Sequence, residues 1–64
     1  MNLAEIQTAL ESEYDFDYVE YEDTNRVRFD HHGDNSFWLN SDGSVEGNVP
    51  KLLKPILLGY GFKF

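Results

Sequence analysis

Apolar residues open the chain at Leu3, Ile6, Leu10 and Tyr14. Spacings of three and four set them on one face of an α-helix, so a helix is predicted over about 3–13. Asn2 caps it, with Glu5 three residues on as the reciprocal partner of a capping box. The period then drops to two, but its phase changes. Acids stand at Glu11, Glu13, Asp15 and Asp17, whereas after Tyr18 they fall at Glu20 and Glu22. A one-residue slip sends every side chain of a strand to the opposite face, so a single strand cannot run through the segment. A turn near 15–17 and a strand over about 18–22 fit better.

Two more alternating runs follow. In "RVRFDH" Val27 and Phe29 share one face, with Arg26, Arg28 and Asp30 on the other. In "SFWLN" Phe37 and Leu39 point inward, and Trp38 and Asn40 outward. "DTN", "HGDN" and "SDGS" read as the intervening turns. "VEG" allows a short fourth strand. If Val19, Tyr21, Val27, Phe29, Phe37 and Leu39 line the core, the outer face carries Tyr18, Glu20, Glu22, Arg26, Arg28, Asp30, Trp38 and Asn40. A guanidinium from Arg28 is then placed to stack on the Trp38 indole. That face is either open, with Trp38 as an anchor, or covered by the C-terminal segment, with Trp38 in the core.

Toward the C-terminus Asn48 can cap a second helix, with Pro50 in its first turn. Leu52, Leu53, Ile56 and Leu57 would be its buried face. Pro55 must kink it or split it into two short turns, and Gly59 ends it. Tyr60, Phe62 and Phe64 alternate as a last strand or a docked tail. The fold class predicted is α+β: an N-terminal helix, an antiparallel meander of three to four strands and a short broken C-terminal helix, in one domain over residues 1–64.

Composition narrows the function classes. A chain of 64 residues buries only about 60% of its extended surface, so its stability is marginal. Without cysteine it has no disulfide and no thiolate chemistry. Its ten aromatic residues must supply much of the core. No apolar run is long enough to span a membrane, and the N-terminus lacks the basic start of a signal peptide. The expectation is a cytoplasmic protein, in the host cytoplasm if phage-encoded.

A net charge of −7 disfavours direct binding to nucleic acid or to anionic lipid and favours a protein partner with a basic surface. The charge is uneven. Residues 11–23 hold seven acids and no base, and residues 47–64 hold Lys51, Lys54 and Lys63 and no acid.

Motifs for catalysis are few. Asp30, His31, His32 and Asp34 offer nitrogen and oxygen donors suited to zinc or manganese. On a strand, though, His31 and His32 point to opposite faces. The letters D-H-H also occur in manganese phosphoesterases, but those are two-domain enzymes with further acidic motifs for which this chain has no room. "NSDGS" fails as a calcium loop, because Trp38 and Val49 would occupy positions that need acids. No serine lies in a nucleophile elbow, and no glycine-rich loop opens a helix.

The reading is therefore a non-enzymatic protein-binding module without a cofactor. Small acidic inhibitors made by phages use spaced carboxylates to imitate nucleic-acid phosphates and block a basic groove. In that version Glu13, Asp15, Asp17, Glu20, Glu22 and Asp23 supply the charge, and Tyr18, Arg28 and Trp38 the anchor. The alternatives are a metal-binding turn at Asp30–Asp34 and a homodimer pairing through "YGFKF" or the sheet face.

Overall fold

A computed structural model describes residues 1–33 and 35–64. The chain forms helix α1 (Leu3–Glu13), strands β1 (Tyr18–Asp23), β2 (Arg26–His31), β3 (Asn35–Asn40) and β4 (Val45–Gly47), a 3-10 turn (Lys51–Leu53) and helix α2 (Lys54–Gly59). The four strands make one antiparallel sheet in the order β1-β2-β3-β4. This is the α+β arrangement expected, with the fourth strand present.

α1 starts where its cap dictates. The Asn2 side chain accepts the Glu5 backbone N–H, so one of the first-turn donors is satisfied. Leu3, Ile6 and Leu10 are its buried stripe. They meet Val27, Phe29, Phe37 and Leu39, the inward residues of β2 and β3, and all of these belong to one core. Phe29 and Phe37 stack nearly parallel, 4.8 Å apart. Phe16, from the segment between α1 and β1, lies 4.9 Å from Phe29 and closes that end of the core.

The C-terminal segment is broken at Pro55 as expected, but it departs from expectation at Asn48 and at Leu52. Asn48 does not cap a helix; its backbone carbonyl instead accepts the His31 Nε2–H at 2.9 Å. Pro55 splits the segment into a 3-10 turn and α2, where it occupies the first turn and removes no needed hydrogen bond. Leu52, placed on the buried face by a single continuous helix, is 60% exposed, because the 3-10 turn rotates it outward while Leu53 and Leu57 stay buried. Beyond Gly59 the tail docks rather than forming a strand. Phe62 is 2% exposed and belongs to the core, whereas Phe64 is 52% exposed. The Lys63 N–H donates to the Gly43 carbonyl at 2.9 Å, which fixes the tail against the turn before β4.

Gly47 shows why β4 ends where it does. Its φ of +86° lies in the left-handed region. A Cβ there would collide with the Ser36 carbonyl oxygen and the Phe37 Cα, so only glycine lets β4 lie this close to β3.

Candidate functional site

Both helices and the tail add their buried residues to the core on the inner face of the sheet, and among the described residues no element packs on the outer face. Strand alternation places Arg26 and Arg28 at its centre, and each guanidinium bridges several carboxylates. Arg26 Nε donates to Glu22 at 2.9 Å, and its Nη1 donates to Asn40 Oδ1 at 3.1 Å and to Glu46. Arg28 lies 3.3 Å from Glu20, 3.3 Å from Asp30 and 3.8 Å from Glu22. The Arg28 Nε contact to Asp30 is an ion pair off the line of a hydrogen bond. Asp30 also accepts the Ser36 hydroxyl. Two cations thus hold four carboxylates. The hydrogen bond to Glu46 holds the Arg26 pKa above its ordinary value, and the same bond, with Asn40, lowers that of Glu46.

The stacking differs from expectation. Arg28 and Trp38 are opposite in register, yet the guanidinium over the indole is that of Arg26, at 5.3 Å. Arg28 turns the other way and covers the Tyr18 ring at 5.5 Å. The carboxylates of β1 draw Arg28 toward the edge, while Glu46 of β4 draws Arg26 across Trp38. Trp38 is half-buried, neither a core residue nor a free anchor. Its indole N–H is closed off from solvent and has no acceptor among the described residues.

The acids of residues 11–23 separate into two sets. Glu20 and Glu22 are committed to the arginines. Glu11, Glu13, Asp15, Asp17 and Asp23 have no cation within ion-pair distance among the described residues. All five are exposed and flank β1, the edge strand, from the end of α1 to the hairpin turn. Glu11 acts with burial to raise the Tyr21 hydroxyl pKa, burial being the larger cause. Arg26 and Arg28 are spent on the sheet, and the lysines lie in the C-terminal segment, so this edge carries uncompensated negative charge.

Tyr21 also sits differently from its expected core position. It is on the inner face but 42% exposed. It lines an open groove of about 740 Å³ with Met1, Leu3, Ala4, Asp23 and Thr24.

The histidines do not point to opposite faces as expected: β2 ends at His31, the left-handed turn begins at His32, and the two rings lie 6.1 Å apart, both edge-on to Tyr14. His31 is buried and holds Asn48, with Tyr14 edge-on at 5.8 Å. His32 is exposed in the turn at φ +49°. Asp30 is on the opposite face of β2, among the arginines. Asp34 lies outside the described residues. No three His, Asp or Glu side chains among the described residues converge to hold a metal ion. No described helix is long and apolar enough to cross a membrane.

Sequence reasoning missed three features: the commitment of Glu20 and Glu22 to the arginines, the buried role of His31, and the Tyr21 groove. Cross-strand register would have revealed the first, since Glu20 stands opposite Arg28. Compared with known families, curated proteins and solved structures, the chain gives no significant match.

Proposed function

We propose that this protein is a non-enzymatic binding module that acts in the cytoplasm by presenting the acidic β1 edge to a basic surface on a protein partner. In its sharper form it is an inhibitor of the phage type, whose carboxylates occupy a groove that otherwise holds nucleic-acid phosphates. The observation that carries this reading is the division of the acids. Those on the sheet face are neutralised internally, and among the described residues those at the edge have no ion pair. Uncompensated charge of one sign costs folding energy through self-repulsion, and a cationic partner relieves it. Tyr18, beside that edge with Arg28 on its ring, supplies a rigid aromatic contact.

The test compares the wild type with a Glu13→Gln/Asp15→Asn/Asp17→Asn variant as bait for host proteins. The reading expects a partner that the wild type retains at low salt and the variant loses. Equal retention by both would overturn it. Among the described residues the three substituted acids make no ion pair, so the variant should keep its fold, and a thermal melt of the variant beside the wild type separates lost binding from unfolding.

A further inference from the structure

β1 is an edge strand, and among the described residues no backbone group on its outer side has a hydrogen-bond partner. An uncovered edge of this kind is a template for another strand. The ladder it offers is short. The register with β2 is regular from Tyr18 to Tyr21 and shifts before Asp23, so a bulge at Glu22 ends the straight part.

Two further features define what fits. Strand alternation gives the edge two unlike sides. On the outer side Tyr18 and Glu20 flank it, both already held by Arg28, while the unpaired Asp17 and Asp23 stand at its two ends. On the inner side half-buried Val19 and exposed Tyr21 flank it, and Tyr21 opens into the groove beneath, toward Met1 and Leu3. A strand added here would therefore meet free carboxylates at the two ends of the ladder and an apolar groove on its inner side.

We propose that the free edge of β1 is a strand-addition site for an extended partner segment that turns apolar side chains toward the groove and carries cationic side chains at its ends. This rests on the binding role proposed above and names the form of the partner. Backbone hydrogen bonds give such a complex its affinity, and the alternating side chains give it selectivity. A second copy of this chain is a poor occupant of the edge, because edge-to-edge pairing sets acid against acid. The charge that repels a copy attracts a lysine- or arginine-bearing strand.

The test uses three labelled synthetic peptides and the intact protein. The parent peptide has lysine at each end of seven residues and valine or leucine at alternate positions between them. The other two are the same peptide N-methylated at every second nitrogen, one in each of the two registers. An added strand turns alternate N–H groups toward its neighbour. One N-methylated peptide should therefore bind about tenfold more weakly than the parent, while the other binds nearly as well. Amide exchange should slow at alternate residues of Tyr18–Tyr21 on adding the parent. Equal binding by all three peptides, with no change in exchange, would overturn strand addition and leave the acidic-surface reading intact. No binding by the parent would also overturn it. The acidic-surface reading fails separately, if the captured host protein is held equally by the charge-neutralised variant.

Discussion

Replacing Phe62 by alanine tests whether the C-terminal tail is part of the core or an appendage to it. Phe62 is 2% exposed, and its backbone N–H donates to the Leu57 carbonyl at 3.1 Å. Truncating a buried phenylalanine costs about 3–5 kcal/mol, through lost transfer energy and the cavity left behind. A domain of this size has a total stability of about 3–10 kcal/mol, and without a disulfide it belongs toward the lower end. One substitution therefore removes a large share of it. Each kcal/mol shifts the midpoint by about 4–8 °C in a domain this small, so Phe62→Ala should lower Tm by at least about 12 °C or leave the chain unfolded. Thermal denaturation followed by far-UV circular dichroism reads this directly. The control is Phe64→Ala, two residues on and 52% exposed, which should change stability by no more than about 0.5 kcal/mol. A Phe62→Ala midpoint within about 4 °C of wild type, or equal effects of the two substitutions, would refute the docked tail.

Gly47→Ala should destabilise the fold by at least about 2 kcal/mol in urea titration, because a left-handed φ and a backbone collision with β3 both oppose the new methyl. Gly33→Ala, at φ +77° with open space around it, should cost only about 1 kcal/mol. Glu22→Gln, which loses its bond to Arg26, should cost about 0.5 kcal/mol after solvent screening, whereas Asp15→Asn should cost nothing; paired thermal melts check the contrast. The Glu46 carboxyl, held below its ordinary pKa by Arg26, binds its proton more readily in the unfolded chain. Its contribution is therefore complete above the ordinary carboxylate range, about 4, and is lost as the pH falls through the folded value. Glu46→Gln should flatten the wild-type fall in urea midpoint below about pH 4.

Much of the fold is legible in the order of residues. The helical spacing of Leu3, Ile6 and Leu10 and the alternation of Val27, Phe29, Phe37 and Leu39 come from chain geometry alone, and these residues are the core. Leu52 and Tyr21 were less legible for different reasons. Leu52 depends on how Pro55 divides the helix, and a 3-10 turn rotates its residues by more per step than an α-helix. Tyr21 has inward parity, but parity does not say how tightly the neighbouring elements close over the strand end. The candidate surface was half legible. The acidic run is plain in the sequence, but which acids are free depends on where two arginines reach across the sheet. Register places Arg28 opposite Trp38, and competition among four carboxylates then sends its guanidinium to Tyr18 instead.

The most direct test of the proposed acidic edge is the salt dependence of affinity for the captured partner, wild type against Glu13→Gln/Asp15→Asn/Asp17→Asn. Exposed charges separated by more than a Debye length are largely screened at about 0.15 M salt, and close contacts weaken progressively above it. The account predicts that wild-type affinity falls steeply between about 0.05 and 0.5 M salt, mainly through a slower on-rate, and that the variant binds more weakly with a shallower slope. A wild-type affinity that does not change with salt, or a variant that follows the same curve, would contradict it.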